Sequence, residues 1–208
     1  MWLRSDILGV FFDERRGGMP VKDSFGFLRA ASIEIARAWP PPFFQSLNER
    51  NPRIKKHGDS ELAASGVMKR GGETTPHTYE MTTTLKGNRL NLSCRLNAAR
   101  TESVIRSKIW LFASPLLSEC EISGKIMHKA LRKNPVWEFI YEGEQPRDPI
   151  TLLGPNGTLG ISGSTTPPVR AVVSRLRRYT KLEVAYEWAR GTLKKGAYSG
   201  GLTLTYGR

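Results

Sequence analysis

Histidine and cysteine are scarce in this 208-residue chain, at three and two copies. His57, His77 and His128 are widely spaced, and none stands at zinc-ligand spacing from a cysteine, so no structural metal is expected. Long apolar runs are also missing. No stretch approaches the ~20 residues that a membrane-crossing helix needs, and no transmembrane segment is expected. There is no dinucleotide fingerprint, no nucleophile elbow and no phosphate loop. Ser123-Gly124-Lys125 looks like the end of such a loop, but its first glycine would fall on Glu119. No cofactor is implied. Acidic residues are the last shortage: 19 Asp and Glu face 32 Lys and Arg, a net charge of +13.

What is present suits a folded chain. The charged fraction of 25% is ordinary, and 39% hydrophobic residues argue against wholesale disorder. The surplus of base is uneven. Residues 1–79 carry 12 basic and 9 acidic side chains, and residues 80–208 carry 20 and 10. A basic folded part attracts polyanions such as nucleic acid. The candidate polyanion-binding residues are Arg170, Arg175, Arg177, Arg178 and Lys181, followed by Arg190, Lys194 and Lys195. Arginine forks fit phosphate, and Tyr179 among them could stack on a base. The same residues equally describe a solvated, protected strand edge.

Cys94 and Cys120 allow one disulfide, which would stabilise by roughly 3–4 kcal/mol in an oxidising compartment. Two buried free thiols fit as well, since Cys94 alternates with Leu90, Leu92 and Leu96. The start, MWLRSDILGVFFDERR, is not a secretory signal: charged residues follow a short apolar stretch where small ones belong. The protein is then expected to stay in the cell or in a virion, or Met1 is not its natural start.

Hydrophobic spacing divides the chain. Over 23–39, Leu28, Ala31, Ile35 and Trp39 recur at helical spacing, Asp23 or Ser24 can cap, and Pro40 to Pro42 stop the run. This predicts one amphipathic helix in an N-terminal segment, 1–47. Residues 48–77 are polar and aperiodic, a predicted linker. From residue 78 a period of two takes over. Tyr79, Met81, Thr83 and Leu85 alternate, Lys86-Gly87-Asn88 turns, and Leu90 to Leu96 alternate again, which predicts a hairpin. Further strands are predicted over 107–113, 136–142, 150–153, 158–162, 169–176, 182–188 and 202–206, with a short helix over 124–132. Long crossovers are missing, so the sheets should be antiparallel. The expected fold is mainly β: an immunoglobulin-like or jelly-roll sandwich over 78–208, with the helix and linker appended.

Two glutamate pairs carry the only enzyme-like signal. Glu138 and Glu142, and Glu183 and Glu187, stand four apart on strands, hence each pair on one face. If those strands paired, the carboxylates would line a groove beside Trp137 and Tyr186, as in a sugar-cleaving acid/base pair. Half-exposed strands have the same texture, and a non-enzyme is the reading adopted.

The end of the chain, GAYSGGLTLTY over 196–206, resembles the last strand of chaperone–usher pilus subunits. That resemblance implies a sandwich lacking one strand, completed by strand addition from a chaperone and then from the next subunit. Leu202, Leu204 and Tyr206 would form the assembly strand, residues 7–12 the donor run, and self-association at an extracellular surface would be the function. The alternative is a viral-type coat protein whose basic face binds nucleic acid or another polyanion.

Overall fold

The computed structural model describes residues 1–39, 43–177 and 181–207. Among these residues there is no α-helix, only strands and one 3-10 turn at Ser46–Asn48. A small sheet opens the chain: β1 (Trp2–Arg4), β2 (Gly9–Phe12) and β3 (Pro20–Asp23). The first run of the main sheet comprises β4 (Leu28–Ala36), β5 (Phe44–Gln45), β6 (Arg53–His57), β7 (Glu61–Arg70), β8 (Glu73–Lys86), β9 (Arg89–Ala98) and β10 (Glu102–Ala113). Then come β11 (Glu119–Ile122), β12 (Lys125–Ile126), β13 (Arg132–Lys133), β14 (Trp137–Gly143), β15 (Ile150–Gly154), β16 (Gly157–Thr166), β17 (Arg170–Leu176), β18 (Lys181–Leu193) and β19 (Gly196–Gly207). Neighbours run β12-β11-β15-β16-β19-β9-β8-β7-β5-β4-β10-β18-β17-β14-β13, with β6 on β7.

The clearest element is the β8–β9 hairpin. Tyr79, Met81, Thr83 and Leu85 point inward with Leu90, Leu92, Cys94 and Leu96, all buried. The register pairs Lys86 with Arg89, and Gly87 supplies the positive φ (56°) of the two-residue turn. A slip of one residue would expose the whole inward row.

The path folds back on itself, so that β16 and β19 pack across the core from β18. The Tyr186 hydroxyl donates to the Ile161 carbonyl at 3.4 Å, and Trp188 Nε1 donates to the Ser199 carbonyl at 2.7 Å. Glycines make room for these rings. A Cβ on Gly163 would lie 2.3 Å from the Tyr186 ring, and one on Gly200 would lie 2.9 Å from Trp188. Between the layers sit Ile109, Leu111, Val184, Leu159, Ile161, Leu202, Leu204 and Tyr206.

Several expectations need correction. The predicted helix over 23–39 is instead the end of β3 and the whole of β4. Every residue of β4 from Ala31 to Ala36 is buried, because the strand is covered on both faces. Such a strand loses its period of two, and its apolar positions then mimic helical spacing. The predicted linker over 48–77 forms β6, β7 and the start of β8, and the expected boundary at 78 falls inside β8. β6 is almost wholly exposed, so nothing apolar marks it. No helix forms over 124–132; β12 lies inside that stretch and β13 begins at its last residue. The 7–12 run is no donor, since β2 pairs within its own chain to β1 and β3. The assembly strand has no free edge: β19 is paired to β16 on one side and β9 on the other. Cys94 and Cys120 are free, buried thiols, and burial pushes both up to about 12.

Candidate functional site

A cavity of about 250 Å³ lies on the face of β10, β18, β17 and β14 that is turned away from the core. Alternation decides what it meets. On β10, Ile109 and Leu111 enter the core, and Arg106 and Lys108 turn to the cavity. On β18, Val184, Tyr186 and Trp188 enter the core, and Glu183, Ala185 and Glu187 turn to the cavity. The register stacks these positions into rows. Lys108 has Glu34 of β4 on one side and Glu187 on the other, with Arg170 beyond Glu187. Phe112 stands beside Glu183, followed by Ser174 and Phe139.

Lys108 and Glu183 are 1% and 6% exposed. Such burial is tolerable only for paired charges. Lys108 Nζ lies 2.5 Å from Glu183 Oε1 and 3.6 Å from Glu34 Oε1. Glu34 also meets Arg106 Nε at 3.4 Å and accepts from Gln45 at 2.9 Å. Glu187 accepts from Arg170 Nε at 3.0 Å and from Arg190 at 3.1 and 3.0 Å. Glu142 is clasped by both arms of the Arg132 guanidinium, at 2.6 and 2.8 Å, and by Arg170 at 3.0 Å. The Arg132 hydrogen bonds hold the Glu142 carboxyl below its ordinary range, against the opposing cost of burial.

An aromatic wall stands beside these charges. Trp137 and Phe139 line the cavity, Phe112 stacks on Trp137 at 6.1 Å, and Arg132 lies 3.6 Å over the Phe139 ring. Trp39, 57% exposed, and Ile105 form the rim. The arrangement provides a buried ammonium–carboxylate pair able to pass protons, fixed charged groups for hydroxyls, and a flat apolar wall.

The expected site residues are only partly assembled. Glu183 and Glu187 share the cavity face. Glu138 and Glu142 do not share one, because β14 is bulged between Phe139 and Tyr141. Only Glu142 reaches the cavity, and β17 separates β14 from β18. Trp137 lines the site, whereas Tyr186 is in the core. The basic cluster is split. Arg170 and Arg190 serve Glu187, whereas Arg175 and Arg177 lie near Glu138 on the other face of β14. Lys181 begins β18, Lys194 and Lys195 are exposed in the turn before β19, and Arg178 and Tyr179 lie outside the described residues. No three His, Cys, Asp or Glu among the described residues are grouped to hold a metal, and no helix among them is long and apolar enough to cross a membrane. Sequence reasoning missed Lys108 as a site residue. Its signal was a lysine inside the apolar run SKIWLFA, in phase with Trp110 and Phe112.

A solved galactose mutarotase-like protein from Lactobacillus casei ATCC 334 matches with a TM-score of 0.66 and 9% identity, over 99% of each chain. The fold is mutarotase-like. An aldose epimerase homologue from C. elegans matches with a TM-score of 0.64 and 9% identity, over 100% of this chain and 98% of that one. A 4-alpha-glucanotransferase from Thermococcus litoralis matches at 0.62 and 6% identity, over 98% of this chain but 37% of the enzyme. Identities this low carry the fold alone. No family model matches the sequence, and no curated protein matches it by sequence. The neighbours named here are sugar-enzyme folds rather than pilus subunits, so they overturn the pilus resemblance and the expectation of a non-enzymatic fimbrial or coat subunit.

Proposed function

We propose that the chain acts on a free aldose, interconverting the two anomers at C1 inside the cavity. The observation that carries this reading is the buried Lys108–Glu183 pair beside the aromatic wall. Its structural neighbours, a galactose mutarotase-like protein and an aldose epimerase homologue, support the substrate class. The volume supports a single ring, since it lies near the lower end of the ~300–1,000 Å³ usual for ligand pockets.

Anomer exchange needs one base and one acid. Glu183 takes the proton of the anomeric hydroxyl, and the Lys108 ammonium gives one to the ring oxygen. The bond between C1 and the ring oxygen breaks as the C1 carbonyl forms. Rotation about the C1–C2 bond presents the other carbonyl face. The two transfers then run in reverse and close the ring, returning both side chains to their starting charge. Glu187, Glu142 and their arginines hydrogen-bond the other hydroxyls, and Trp137 and Phe139 receive the C–H face of the sugar.

The test is the decay of optical rotation in freshly dissolved α-galactose and α-glucose. The folded chain should accelerate it, and Glu183→Gln should reduce that acceleration by about 10²–10⁴. A folded chain that leaves the spontaneous rate of every free aldose tried unchanged would refute the reading.

A further inference from the structure

On the face of β14 turned away from the cavity lies a second recess of about 350 Å³, lined by Met127, His128, Lys129, Lys133, Glu138 and Arg175. It owes nothing to the sugar reading. Alternation with Trp137 and Phe139 turns Glu138 this way, and three cations gather round it: Lys133 Nζ at 3.4 Å, Arg175 Nη1 at 3.6 Å and Arg177 Nε at 4.0 Å. Charge-assisted pairs normally close to ~2.7–2.9 Å, so these cations surround the carboxylate without clasping it. Two are fixed from elsewhere. Arg175 donates to the Ser118 carbonyl at 2.9 Å and Arg177 to the Asn134 carbonyl at 3.3 Å. Lys129 is exposed at the recess and has no ion-pair partner among the described residues.

One carboxylate thus has three cations within 4.0 Å, and Lys129 lines the same recess. The recess is walled mostly by polar atoms, and His128 adds an imidazole. Cations held together with too little counter-charge repel one another, and a dianion relieves that repulsion better than a single carboxylate. We propose that this recess binds a tetrahedral oxyanion, the phosphate or sulfate group of a free ion or of an ester. The Arg175 guanidinium and the Lys129 and Lys133 ammonium groups line it from different strands and loops, with Arg177 beside Glu138, which suits an acceptor with oxygens in several directions. Arg175 and Arg177 are thus the part of the basic cluster with an anion to bind.

The test is calorimetric titration of the full chain at low salt with inorganic phosphate, inorganic sulfate, glucose 6-phosphate and a short single-stranded oligonucleotide. At least one should bind, and the tightest identifies the source of the group. Lys129→Glu with Lys133→Glu should weaken that binding at least tenfold, whereas Lys194→Glu and Glu183→Gln should leave it within twofold. The substituted lysines are exposed, and Lys129→Ala with Lys133→Ala gives the same comparison if the reversed pair folds poorly. Three outcomes would overturn the proposal: no binding of any probe, an equal loss from Lys194→Glu, or a loss from Glu183→Gln with none from the Lys129 and Lys133 variants. The second would reduce the effect to bulk charge, and the third would move the anion to the cavity.

Discussion

Lys108 is an ammonium group shut away from water at 1% exposure. It is buried within reach of two carboxylates, so its removal leaves Glu183 without its cation. Lys108→Met should cost about 3–5 kcal/mol, read from urea unfolding. Adding Glu183→Leu should recover part of that loss, because no charge is then stranded at that position. Glu142 makes a pH prediction. Its carboxyl is held below the ordinary range when folded, so the stability it contributes is present above its unfolded value of about 4.5. That stability fades as pH falls through the lower folded value. Arg132→Ala should reduce stability at pH 7 by under about 1 kcal/mol, since Arg132 is half-exposed. At pH 3 the gap between variant and parent should narrow, as urea midpoints at both values would report. At this scale the sequence was half legible. Glu183 and Glu187 could be placed on one face by counting in twos, but a bulge that no residue type announces defeated the same count for Glu138 and Glu142.

Among the elements, strands with one wet face were the easiest to read, although β10 and β18 were also found with much of their length covered on both faces. β8, β9 and β19 alternate because water covers one side of each, and their inward rows were predicted residue by residue. β4 is covered on both sides, its outer row engaged by Ser46 and Gln45, and its spacing misled. β6 failed for the opposite reason, having almost no buried side. The glycines of β16 and β19 are an element-scale device, since they let large rings from β18 lie flat against the opposite layer. Gly163→Ala should therefore cost about 1–3 kcal/mol by overpacking against Tyr186. In a chain of this length each kcal/mol lowers Tm by about 2–4 °C, and calorimetry would show the shift. Ala in place of Gly72, whose Cβ position is open and whose φ is not positive, serves as the comparison without overpacking.

At the scale of the molecule, β19 holds the sheet together. Among the described residues it is the sole bridge from β16 to β9 in the strand order, so removing it separates the sheet into two unequal pieces. Ending the chain at Gly200 removes Leu202, Leu204 and Tyr206 from the core and should abolish cooperative unfolding. A truncated chain that still gives one sharp transition would contradict this account of β19. The antiparallel, strand-rich class of the fold was legible from the sequence. The strand order was not, because it depends on which distant edges meet, and local spacing carries no record of that.

The central place of β19 also bears on how the chain reaches its structure. One neighbour of β19 lies about a hundred residues earlier, where Gly196 pairs with Ala98, so this seam cannot form from local encounters. Topologies of this kind fold in milliseconds to seconds rather than microseconds. Until the seam closes, β16 and β9 each present an unpaired, partly apolar edge that another chain can join. Refolding yield should therefore fall as protein concentration rises, with the loss confined to the interval before β19 docks.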